Sequence, residues 1–162
     1  MRNVLAFGAV SLVMVAAVGA QSSAPAHVLL RTADLKWGQA PPAFEKGASL
    51  AVLSGDPGKP GPFVVRLKMP AGYKIAAHWH PTDENVTVIA GTFALGMGDK
   101  FDAAALKDVP AGGYGLLPAE MRHFAMARTA TTVQVHGTGP FALNYVNPAD
   151  DPSKRVAPSP AK

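Results

Sequence analysis

Glycine and proline interrupt this chain so often that no long helix fits between them. The 162 residues include 16 glycines and 15 prolines. Both are costly inside helices and useful in turns, glycine because it reaches positive φ and proline because it fixes φ and lacks a donor. The strongest breaks are Asp56–Pro62 and Pro110–Gly113. Between such breaks lie short apolar or alternating runs, the pattern of a domain made of many short strands.

Strands are expected near residues 49–54, 62–69, 73–80, 85–90, 92–98, 113–117, 122–127, 131–137 and 141–146. In the second of these, Phe63, Val65, Leu67 and Met69 alternate with Val64, Arg66 and Lys68, the period of a strand with one buried face. Residues 101–106 are the one short helix expected. Without room for crossover helices, the strands must pair antiparallel in a sandwich or barrel, and an all-β jelly roll of about eight strands suits the length. The chain is the size of one domain.

Residues 1–20 stand apart. Arg2 opens the chain, Val4 to Val18 is an apolar run broken only by Gly8 and Ser11, and Val18-Gly19-Ala20 ends it with small residues before Gln21-Ser22-Ser23. That order is that of a signal peptide cleaved after Ala20, which places the protein outside the cytoplasm, in the periplasm or beyond. The rival is a retained anchor, since the run is at the lower edge of what crosses a bilayer; after cleavage, no stable membrane association is expected. The barrel domain is then expected over residues 21–146, with residues 21–27 a loose tether. Residues 147–162 form a proline-rich tail outside the core.

Charge narrows the partners. The formal net charge is +4, or +3 once Arg2 is removed (4 − 1). The basic residues are scattered, with few aromatics between them, which argues against a nucleic-acid surface. There is no cysteine, so stability in an oxidising compartment must come from the core and from a metal rather than from disulfides. The same absence, with no Gly-x-Ser-x-Gly elbow and no phosphate-cradling Gly-Lys-Ser/Thr loop, leaves covalent hydrolysis without a nucleophile.

Chemistry concentrates in two stretches. The first runs from Gly72 through His78-Trp79-His80 and Glu84 to Gly91. Residues two apart on a strand share a face, so His78 and His80 project together while Trp79 points away. Pro81-Thr82-Asp83 reads as a turn, returning Glu84 on the neighbouring strand near the same point. Asp83 is the weaker alternative, because adjacent strand residues face opposite ways. The second stretch, Gly112 through Pro118 to His123, brings a third imidazole from far along the chain.

Together these stretches resemble the two motifs of the cupin superfamily. Gly72, five residues, His78-x-His80, three residues, Glu84, six residues and Gly91 match the first; Gly112, five residues, Pro118 and, five further on, His123 match the second. Two positions depart, with Glu120 where the pattern usually has glycine and Ala127 where it often has asparagine. The resemblance covers roughly Phe63 to Val146. It implies a cupin-type, RmlC-like jelly-roll barrel, with His78, His80, Glu84 and His123 as metal ligands and a homodimer formed through outer strands.

Three neutral imidazoles and one carboxylate suit Fe(II), Mn(II), Ni(II), Cu(II) or Zn(II) and disfavour Ca²⁺ and Mg²⁺, which take all-oxygen shells. One such ion is the expected cofactor. Four protein ligands leave positions for water, dioxygen or a bidentate small molecule. The resemblance links such a site to dioxygenases and, less directly, to isomerases and decarboxylases. The competing expectation is a non-enzymatic protein that senses or scavenges a metal or small ligand.

Other residues fill out the expectation. Val133 and Val135 share one face of their strand, Gln134 and His136 the other, and the periodicity leaves open which face is inward. An inward His136 would be a catalytic proton shuttle. Tyr73, Trp79, Phe93, Tyr114, Phe124 and Met126 are expected to pack in the core or at its rim. Lys74 and Arg122 flank the ligand strands, either solvated or facing an anionic substrate.

Overall fold

The computed structural model describes residues 27–155. The leader expected at residues 1–20, most of the tether and the last residues of the tail lie outside them. Within them the chain forms eleven strands: β1 (Gly38–Gln39), β2 (Ser49–Ser54), β3 (Gly61–Met69), β4 (Lys74–Trp79), β5 (Glu84–Ala90), β6 (Thr92–Met97), β7 (Lys107–Pro110), β8 (Tyr114–Leu117), β9 (His123–Ala127), β10 (Thr131–Gly139) and β11 (Asn144–Tyr145). They make two antiparallel sheets, in the orders β1-β2-β3-β10-β5-β8 and β11-β4-β9-β6-β7. The sheets face one another as a jelly roll.

Alternation in the sequence produces this layering. In β3, Phe63, Val65, Leu67 and Met69 are buried while Pro62, Val64, Arg66 and Lys68 are not. In β10, Thr131, Val133 and Val135 are buried between less covered neighbours. β3 and β10 pair along their whole length, Met69 opposite Thr131 through Gly61 opposite Gly139. Their apolar faces join Val86 and Val88 of β5 and, from the opposite sheet, Ile75, Phe93, Ala125 and Ala127 in one core. Gly91 turns β5 into β6 at φ 79°, a left-handed conformation that suits only glycine there because an added Cβ would strike the Ala130 carbonyl.

The structure differs from several sequence expectations. Residues 101–106 contain a single 3-10 turn, Ala103–Ala105, started by Asp102 accepting from Ala104 N at 2.9 Å; the helical stretch is too short to propagate. β1 and β7 carry too little alternation to be read, and both are held by tertiary pairing to β2 and β6. The strand expected at 141–146 shrinks to Asn144–Tyr145. Residues 147–155 fold into two 3-10 turns whose capping acceptors are Asn147 and Asp151. Arg155 pairs with Glu45 at 2.6 Å, so this part of the tail lies against the barrel.

Candidate metal centre

β4 changes parity partway along, and the centre depends on that change. Lys74 and Ile75 pair with Met126 and Ala125, whereas His78 pairs with His123, so the register slips by one residue between Ile75 and His78. Such a bulge lets Ile75, His78 and His80 all line one cavity although they differ in parity. His78 Nδ1 donates to the Ala76 carbonyl at 2.7 Å. The cross-strand pairing sets the His78 and His123 rings 4.2 Å apart.

Glu84 does not return on the neighbouring strand of the same sheet. β4 and β5 belong to opposite sheets, so the carboxylate comes across the barrel to the imidazoles of His80 and His123. Glu84 Oε2 lies 3.3 Å from His123 Nε2 and 3.5 Å from His80 Nε2. The ligand nitrogens of His78, His80 and His123 are all within 4.8 Å of one another, and all three residues are buried. Donors about 2.1 Å from a shared ion, set roughly 90–110° apart, sit about 3.0–3.4 Å from each other. The 3.3 Å spacing to His123 lies within that range and the 3.5 Å spacing to His80 is 0.1 Å beyond it.

Proton placement supports the same reading. Each ring spends Nδ1 on a backbone carbonyl: His78 on Ala76, His80 on Ala142 at 2.8 Å and His123 on Met121 at 2.9 Å. A neutral imidazole has one N–H, so Nε2 is left as a bare lone pair, the form in which histidine binds metals. The approach of His123 Nε2 to Glu84 is therefore lone pair against lone pair, and a cation between them resolves it. His80 Nε2 and His123 Nε2 are buried without any hydrogen-bond partner. A buried polar atom without a partner is costly, and two side by side fit a divalent ion.

Electrostatics keep the ligands in the required forms. Burial, with His123 and His80 nearby, pushes the His78 imidazole down to about 3. Burial also lowers His80, outweighing Glu84 and the Ala142 carbonyl. Burial alone would raise the Glu84 carboxyl, but His123, His80 and His78 together hold it below the usual carboxylate range. The centre thus presents the neutral imidazoles of His78 and His80 beside the Glu84 carboxylate.

The centre sits in the wall of a cavity of about 270 Å³. Apart from His78, His80 and Glu84, every side chain lining it is apolar, including Phe44, Leu50, Phe63, Val65, Val135, Phe141 and Leu143. Phe141 stacks on His80 at 4.1 Å and 15°, and packs against Phe63 at 5.0 Å. The segment after β10 therefore supplies a wall as well as the Ala142 carbonyl that orients His80. No motif in the sequence marks that segment; the only sign is the aromatic and leucine that follow Pro140.

This cavity and binding set accord with what the chain resembles in sequence. The family model for the ChrR cupin-like domain matches residues 25–142. The chain belongs to that cupin family. Among solved structures, this cupin is similar to a candidate acetylacetone dioxygenase from Methylibium petroleiphilum, with 24% identity, 80% of this chain and 88% of that one covered and a TM-score of 0.61. It is similar to the polyketide cyclase RemF from Streptomyces resistomycificus, with 16% identity, 80% and 92% covered and a TM-score of 0.65. An RmlC-like cupin from Ralstonia eutropha has 18% identity, 71% and 70% covered and a TM-score of 0.56. These likenesses establish the fold. No functionally curated protein matches the chain significantly.

The remaining residues singled out in the sequence lie elsewhere in this cupin. His136 sits on the face of β10 away from the cavity: Val133 and Val135 line the cavity, and Gln134 on the other face accepts from Arg66 Nε at 3.1 Å. An inward proton shuttle at His136 is thus corrected, because the pairing of β10 with β3 and β5 fixes which face is inside. Asp83 Oδ1 accepts from Ala119 N at 2.8 Å, tying the motif turn to the segment before β9. Lys74 lies over Phe101, and Arg122 pairs with Asp99 at 2.8 Å, so neither faces the cavity. Tyr73, Phe93 and Phe124 are buried, whereas Tyr114 is exposed on the edge strand β8.

Proposed function

We propose that this cupin holds one divalent transition-metal ion through His78, His80, Glu84 and His123, and that it acts on a small molecule as a metalloenzyme of oxygenase type. The observation that carries the metal assignment is the pair of buried, unpartnered Nε2 atoms of His80 and His123 facing the Glu84 carboxylate. A bound ion would supply Lewis acidity and, for iron, manganese, nickel or copper, access to redox chemistry. The chain's own part is to fix the three imidazoles through the carbonyls of Ala76, Ala142 and Met121. Phe141 and Phe63, with the apolar walls, keep water away from the ligand face. The leader-like residues 1–20 support a site of action outside the cytoplasm.

Elemental analysis of purified protein tests the metal: about one equivalent of a transition metal is expected, and its absence from a well-folded sample would refute the assignment. Oxygen uptake by each metal-loaded form on catechol-like and dicarbonyl compounds then tests the reaction.

One observation favours a second reading. Among the described residues lining the cavity, no acid or base exists besides Glu84, His78 and His80. A protein that binds a metal or small ligand without transforming it needs no further base. Stable ligand binding without turnover under any metal would select this reading.

A further inference from the structure

The cavity is more selective in its chemistry than a metal centre requires. Its volume is about 270 Å³. At about 30 Å³ per water-sized group, that is room for roughly nine non-hydrogen atoms. Beyond the ligand residues, its lining side chains carry neither a hydroxyl or amide nor a second charge. A sugar, a hydroxy acid or a dicarboxylate entering here would bury polar groups with nothing to pair them, at a cost of about 1–3 kcal/mol for each neutral group and more for each charge.

Charge balance points the same way. Three neutral imidazoles, one carboxylate and a divalent ion sum to one positive charge, and a low-dielectric cavity penalises any net charge left in it. A chelating molecule that arrives neutral and releases one proton to solvent brings the filled site to zero. A dianion would leave it negative.

Resting on the metal assignment made above, we infer that the ligand of this site is a small, uncharged, largely apolar molecule. It presents two oxygen donors to the ion, one of them an enol-type hydroxyl that ionises on binding. Its apolar body packs against Phe141, Leu143, Val135 and Val65, all of which line the cavity.

Titration of the Co(II)-loaded protein, followed in the visible cobalt bands, separates this inference from the metal assignment. Allomaltol and kojic acid share a 5-hydroxypyran-4-one head and differ only in the substituent at the same ring carbon, a methyl in allomaltol and a hydroxymethyl in kojic acid. Allomaltol is expected to shift the bands and to bind about tenfold more tightly than kojic acid, the effect of one buried unpaired hydroxyl. Oxalate, doubly charged and without an apolar body, is expected to leave the bands unchanged. In Val135→Thr, which places a hydroxyl in the wall at similar volume, the preference for allomaltol over kojic acid should shrink. Equal binding of the two pyranones, or a response to oxalate as strong as to allomaltol, would overturn the ligand class while leaving the metal assignment standing. Failure to develop any cobalt bands before ligand is added would overturn the metal assignment itself and this inference with it.

Discussion

Phe141 lies flat on His80, the two rings 4.1 Å apart and 15° from parallel, and the carbonyl of the next residue, Ala142, accepts from His80 Nδ1 at 2.8 Å. One short segment therefore both covers a ligand residue and sets its tautomer. Phe141→Ala should lower stability by about 1–3 kcal/mol, less than for a fully enclosed phenylalanine because this ring is only partly covered. It should also weaken metal binding by about tenfold through loss of orientation at His80. Urea denaturation and a competitive metal titration measure the two effects separately.

On the metal assignment proposed above, the unpartnered Nε2 atoms of His80 and His123 should make the folded chain bind metal more tightly than the unfolded one. A transition metal at about a hundred times its dissociation constant should stabilise the fold by about 2.7 kcal/mol, raising Tm by roughly 10 °C for a domain of this size. A strong chelator should reverse the rise. In His123→Ala most of the metal-dependent increment should vanish, which differential scanning calorimetry with and without metal would show.

Glu120 occupies the left-handed region at φ 63°, the one non-glycine residue among those described to do so. Its backbone N–H donates to the His80 carbonyl at 2.8 Å, so the turn is kept in spite of the side chain. Glu120→Gly removes the Cβ penalty at some entropic cost and should stabilise the protein by about 0.5–1 kcal/mol. Metal affinity should not change. Thermal denaturation and the same metal titration read both quantities.

Tyr73 donates its hydroxyl to the Glu45 carbonyl at 2.7 Å, and burial, with the nearby Glu45 carboxylate, pushes the phenol up from 10.0 to about 12. A raised phenol favours the neutral form in the folded state, so its contribution is complete below pH 10 and is lost as pH climbs toward 12. Wild-type urea midpoints should fall across that interval. In Tyr73→Phe the fall should be shallower, though from a lower starting value because a buried hydrogen bond is gone.

Much of this was legible in the residues themselves. Glycine and proline spacing pointed to short strands, and the alternation of Phe63, Val65, Leu67 and Met69 identified a buried face, because both are local properties of the backbone. The motif spacing likewise named His78, His80, Glu84 and His123 as a group. Three things were settled only by tertiary pairing. The bulge between Ile75 and His78 inverted the parity of β4, and a period of two cannot reveal where it will slip. Glu84 came from the opposite sheet and His136 was turned outward, since alternation separates two faces without saying which is inside. The apolar cavity and its Phe141 wall assemble side chains from strands and loops distant along the chain, and local sequence carries no record of which distant residue will close a cavity.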